Sequence, residues 1–121
     1  MEAVRLEEKL SRLDEYWSPR VVGELNGQYV KLAKLQGEFV WHAHAEEDEL
    51  FLVLKGELAL ELRDRTVTLR PGELFIVPRG VEHRPVCTEE THVLLFEPAT
   101  TRNTGEEDEA RTVEPEDLER L

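Results

Sequence analysis

Apolar and polar residues alternate with two different periods along this 121-residue chain. Leu6, Leu10, Leu13 and Trp17 recur at steps of four, three and four, with Glu7, Glu8, Arg12 and Asp14 between them. That stripe predicts a short N-terminal amphipathic α-helix, ended by Ser18-Pro19. From Arg20 to about Pro98 the period shortens. Runs rich in Val, Leu, Phe and Thr are separated by turn signals at Asn26-Gly27, Gly37, Lys55-Gly56, Arg63-Asp64, Pro71-Gly72, Pro78-Arg79-Gly80 and Thr88-Glu89. Strands are predicted over 21–25, 28–35, 39–42, 50–54, 57–62, 66–69, 74–77, 83–86 and 91–97. Short strands at this spacing read as an all-β sandwich or barrel. The chain thus divides into a helix over 1–19, a β-barrel over 20–100 and a polar extension over 101–121.

Two strands show which face is wet. In 57–62 and 66–69 the apolar residues fall on one side, so Glu57, Glu61, Thr66 and Thr68 should face water. The runs 50–54 and 93–96 are apolar on both sides and need a second cover. One short helix cannot cover both, so a homodimer is expected. If Val30 and Leu32 face the core, Lys34 faces it too and becomes a candidate contact for a substrate anion or carbonyl.

Charge removes several function classes. Against 15 Lys and Arg stand 27 Asp and Glu, a net charge of −12. Such an excess repels phosphate backbones and anionic lipid, and no block of Lys or Arg offsets it locally, so neither nucleic acid nor membrane is an expected partner. Much of the excess sits in residues 101–121, with eight acids and three Arg, and in Glu46-Glu47-Asp48-Glu49, which leaves the barrel nearly balanced. The composition of 101–121 reads as disordered, although Val113, Leu118 and Leu121 offer apolar anchors to the barrel. A lone Cys87, no basic-then-apolar leader and no apolar run of membrane-spanning length point to the cytoplasm.

The candidate chemistry lies in the histidines. His42 and His44 are two apart, so on extended backbone both imidazoles point the same way. Glu49 follows at the entry to the 50–54 run, and His83 opens a strand far downstream, after Pro78-Arg79-Gly80. Three imidazoles and one carboxylate converging from separate strands suit a divalent transition metal. His92 stands apart from this set, and Trp41, out of phase with His42, should point away from it.

The spacing of these residues resembles the two motifs of the cupin superfamily. The first, a glycine, a spacer, His-x-His, a glutamate and a closing glycine, is carried by Gly37, His42, His44, Glu49 and Gly56. The second, a glycine, Pro-x-Gly and a histidine, is carried by Gly72, Pro78, Gly80 and His83. Two positions depart from the pattern: the spacer before His42 is four residues where five is usual, and Cys87 stands where asparagine is frequent. The resemblance implies a double-stranded β-helix, the jelly-roll barrel of a small single-domain cupin. It also implies that His42, His44, Glu49 and His83 bind a divalent metal, with one or two coordination positions left open. Fe, Mn, Ni, Cu, Co and Zn all accept such a set. Lys34, Cys87 and His92 are the further candidates for a substrate pocket. An open metal position admits oxygenase chemistry on a small oxygenated metabolite, isomerisation or epimerisation of a sugar or sugar phosphate, or non-catalytic binding and sensing of a small ligand. Whether the chain is an enzyme at all stays open among these.

Overall fold

A computed structural model describes residues 2–121. Its helix is shorter than the apolar stripe predicts. Helix α1 (Leu6–Leu10) has no side-chain cap at its N-terminus, and the turn beyond it tightens through Leu13 N–H to the Leu10 carbonyl. Trp17 leaves the stripe altogether. It takes a positive φ of 59°, donates its backbone N–H to the Lys34 carbonyl and its indole N–H to the Gln36 carbonyl, and stacks on Phe39 at 4.7 Å. Burying an aromatic of this size in the barrel end outweighs one more turn of an uncapped helix.

The barrel is built from β1 (Arg20–Leu25), β2 (Gln28–Glu38), β3 (Glu49–Lys55), β4 (Leu58–Leu62), β5 (Thr66–Leu69), β6 (Leu74–Val77) and β7 (His83–Pro98). All pairings between these strands are antiparallel, in the order β1-β2-β7-β3-β6, with β4 bridging β5 and β7. Asn26 and Gly27, both with positive φ, form the two-residue hairpin between β1 and β2 that an Asn-Gly pair favours. Two predicted strands merge: 83–86 and 91–97 are the two ends of β7. Its first part pairs with β4 and its second part with β3, while β2 runs along it from Val86 to Pro98. The predicted strand 39–42 does not form. Phe39 to Trp41 are irregular, and His42 makes a lone antiparallel bridge to His83.

Side-chain parity along β2 is the opposite of the expected one. Lys31, Ala33 and Leu35 face the barrel interior, whereas Leu32 faces outward and packs under α1 with Leu10 and Leu13. Because both faces of β2 are covered, apolarity at Leu32 carries no information about which side is inside. Leu121 reaches the same outer cluster, and the C-terminal chain is tied to β1 by Val21 N–H to the Glu119 carbonyl and Leu121 N–H to the Val21 carbonyl. Segment 101–121 therefore packs on the barrel, against the disorder its composition suggests.

Candidate metal centre

Backbone pairing places the first two histidines side by side. His42 and His83 exchange N–H to carbonyl bonds of 3.0 and 2.9 Å, so their rings lie 4.3 Å apart. The His44 carbonyl accepts the Gly80 N–H, which fixes the loop that carries His44 against the Pro78-Arg79-Gly80 turn. Glu49, the first residue of β3, enters from the neighbouring strand. Its Oε1 lies 3.2 Å from His83 Nε2 and 3.3 Å from His44 Nε2. One ligand atom from each of His42, His44, Glu49 and His83 lies within 4.8 Å of the others, and all four residues are buried.

The hydrogen bonding around the rings orients them. His42 Nδ1 donates to the Val40 carbonyl at 2.9 Å, and His83 Nδ1 donates to the Val81 carbonyl at 3.0 Å. Each backbone partner fixes the tautomer and leaves the Nε2 lone pair facing the cluster. His44 has no hydrogen-bond partner on either ring nitrogen although both are buried. A donor set with preset tautomers and an orphaned buried imidazole fits a cation that would accept those lone pairs.

The charge state of His42 agrees with this fit, whereas His83 is held toward its charged form by Glu49. Burial, reinforced by the neighbouring His83, lowers His42 to about 4, so its ring is neutral at physiological pH. At His83 burial opposes the charge but the Glu49 carboxylate outweighs it, and its pKa is raised. Glu49 lies well below the ordinary carboxyl range: burial would raise it, and His44 and His83 overcome that. Phe39 and Phe51 meet His42 and His83 edge to face and keep the cluster in apolar surroundings.

The other predicted pocket residues stand elsewhere. Lys34 points out of the barrel and donates to the Leu13 carbonyl, and His92 pairs with Glu90 at 2.7 Å; both line a groove beneath α1. Cys87 is part of the apolar core, and burial pushes its thiol up to about 11, which leaves it a core side chain and not a nucleophile. Trp41 lies against the guanidinium groups of Arg63 and Arg84. Glu47 and Asp48 are engaged by Thr100 and Arg79.

Residues 28–97 match the model of the cupin domain. The chain belongs to the cupin family. A curated relative, an uncharacterized protein of Bacillus subtilis (strain 168), is 41% identical over 64 residues, which is 52% of this chain and 57% of the relative. The match therefore spans little more than half of that relative's length. A cupin-2 domain protein from Shewanella frigidimarina is 44% identical with a TM-score of 0.77, covering 78% of this chain and 93% of its own. Hydroquinone 1,2-dioxygenase from Sphingomonas sp. TTNP3 shares the fold at 23% identity and a TM-score of 0.70, over 78% of this chain and 31% of its own.

Several residues of this cupin's interior escaped the sequence reading. Lys31 and Glu97 form a 2.8 Å ion pair with both side chains almost fully buried. Glu97 lies beside Glu49 on the adjacent strand, and burial together with that neighbour holds its carboxyl well above the usual range, with Lys31 pulling the other way. A Lys at an inward position and a Glu closing an apolar strand were the available signals. The C-terminal segment also contributes. Asn103 lines the barrel cavity with His42 and Glu49, and Arg111 donates to the Glu38 carbonyl while its guanidinium stands 4.7 Å from the Phe39 ring. Gly105, with φ +61°, lies so close to Ala43, between the two motif histidines, that a Cβ there would collide with the Ala43 carbonyl. Replacing Gly105 with Val is expected to lift this strap. Amide hydrogen exchange over 101–112 should rise at least about tenfold while β3 and β7 stay protected. Unchanged protection over 101–112 would show that the close approach is dispensable.

Proposed function

We propose that this cupin is a metal-dependent enzyme of the oxygenase type acting on a small oxygenated metabolite. The observation that carries the reading is a buried His, His, Glu, His donor set of which His42 and Glu49 line a largely apolar cavity together with Trp17, Leu35, Phe39 and Phe51. His42, His44, Glu49 and His83 would hold the ion. When bound, a redox-active divalent metal supplies electron transfer to dioxygen and a Lewis-acid contact to a substrate oxygen. The chain's own part is to aim the imidazoles of His42 and His83, through Val40 and Val81, and to surround the site with Phe39, Phe51 and Asn103. The fold shared with a hydroquinone dioxygenase supports this direction. A sugar-phosphate isomerase needs a cation for the phosphate. Among the described residues Lys31 is already paired with Glu97 and Lys34 faces out of the barrel, so the oxygenase reading is preferred.

Elemental analysis of protein purified without chelators is expected to find about one divalent metal per chain. Dioxygen uptake with small hydroxylated substrates should then be seen in wild type and lost in His42→Gln. Stoichiometric metal without uptake across such a panel would turn the reading toward a ligand-binding cupin.

A second copy of the chain is the proposed partner. α1 and Leu121 cover the outer sheet face only around Leu32, Leu54 and Leu94. Beside that area Leu74 and Ile76 are about half exposed, and in register with them stand Leu52, Leu50 and Phe96. This row crosses three strands, and a two-fold axis through it would bury the same residues from both copies. Light scattering should give twice the 14.0 kDa chain mass, and Ile76→Glu should give the single mass.

A further inference from the structure

The barrel cavity contains one polar atom that the donor set leaves unused. Glu97 points inward from β7 and is only 2% exposed. Its Oε1 receives the Lys31 ammonium at 2.8 Å, while its Oε2, also buried, receives no N–H or O–H donor, and the polar group beside Glu97 is the Glu49 carboxyl of the donor set. Glu97 lines the same cavity as His42 and Glu49. Asn103, the remaining amide in that wall, is already engaged: its nitrogen donates to the Arg111 carbonyl and its oxygen accepts the Val113 N–H. An unpaired carboxyl oxygen inside an apolar cavity is costly unless something that enters the cavity pairs with it.

We propose that Glu97 Oε2 anchors the hydroxyl group of the substrate, so that the cavity selects small molecules carrying a hydroxyl on an apolar body. This deepens, and rests on, the metal-dependent reading, in which another oxygen of the same molecule faces the donor set. A hydroxyl suits the position because it donates to a carboxylate and accepts from a carboxylic acid. A methyl group leaves the oxygen unpaired, and a phosphate oxygen brings further negative charge against Glu97 and Glu49. Lys31 does not line the cavity. It is a positioning residue, whose ammonium holds one carboxyl oxygen and thereby turns the other inward. The cavity measures about 40 Å³. With a water needing at least about 10–15 Å³ of such space, this admits a molecule of a few heavy atoms.

The test compares hydroxyacetone with 2-butanone, in which a methyl replaces the hydroxyl, by paramagnetic broadening of their NMR signals on Mn²⁺-loaded protein. Wild type should bind hydroxyacetone at least about tenfold more tightly, since a site built for a hydroxyl rejects the analogue that lacks it. The Lys31→Met/Glu97→Leu double variant removes both charges together and should reduce that preference to about twofold or less at unchanged Mn²⁺ content. The Lys31→Met/Glu97→Gln variant keeps a polar partner and should restore it. A preference that survives in Lys31→Met/Glu97→Leu assigns the selectivity to direct contact with the ion and overturns the proposal, as does Mn²⁺-loaded wild type without any preference. Failure of wild type to retain Mn²⁺ overturns the metal reading itself, and the proposal with it.

Discussion

Replacing His83 with Gln is expected to weaken divalent-metal binding by two to three orders of magnitude. Protein sites with four ligands bind zinc with about 10–16 kcal/mol, so one ligand in four accounts for about 2.5–4 kcal/mol. His83 is the sharpest position because it touches two other members of the set: its backbone pairs with His42 and its Nε2 lies 3.2 Å from Glu49. The measurement is competition against a chromophoric chelator at pH 7.5. His92→Gln is the control, since His92 pairs with Glu90 on the outer face. The same comparison has a thermal readout. Metal at about a thousand times its dissociation constant should stabilise wild type by about 4 kcal/mol through binding to the native state alone, and this increment should shrink to about 0.4–1.4 kcal/mol in His83→Gln at the same metal concentration. Equal affinity in the two proteins would remove His83 from the donor set.

Breaking the Lys31–Glu97 pair is expected to have the largest effect on stability. Lys31 is fully buried and Glu97 nearly so, and Glu97 also abuts Glu49. Lys31→Met leaves the Glu97 carboxyl beside Glu49 in a buried site without its ammonium partner. Removing one partner of a buried pair costs about 3–5 kcal/mol, a large share of the 5–15 kcal/mol that holds a domain of this size. Lys31→Met/Glu97→Leu should recover most of that loss, because the apolar pair carries no desolvation penalty. Urea unfolding in excess chelator separates this effect from metal linkage. A loss below 1 kcal/mol in Lys31→Met would mean that water reaches the pair. Greater stability in the single than in the double variant would contradict the buried ion pair outright.

The contrast between these two predictions shows how far the one-dimensional pattern reaches. His42, His44, Glu49 and His83 were legible because the chemistry demands particular residue types at fixed separations, and the turn residues Pro78 and Gly80 mark where a ligand strand begins. Wet faces were legible at Glu57, Glu61, Thr66 and Thr68, where one side of the sheet meets solvent and alternation is clean. Lys34 was misread for the converse reason. With α1 lying over the outer face of β2, Leu32 is as buried as Ala33, and parity is lost from the apolar pattern.

Trp17 and the C-terminal strap show a different limit. The helical spacing of Leu6, Leu10, Leu13 and Trp17 is genuine, yet Trp17 gains more by stacking on Phe39 than by continuing the stripe. Residues 101–112 look like solvated tail, but Gly105, Asn103 and Arg111 each fit a feature of the barrel mouth that local composition does not reveal.

Fold class, most of the turns between strands and the grouping of four candidate metal donors are thus carried by the order of residues alone, since each depends on local geometry or fixed spacing. Which face of β2 is inward, the placing of Glu97 beside Glu49, and the lining of the cavity by Asn103 of the C-terminal segment were decided only in the folded chain. Those outcomes depend on contacts between residues as distant as Lys31 and Glu97, where the energy of burial and of charge pairing is settled by three-dimensional neighbours and not by sequence neighbours.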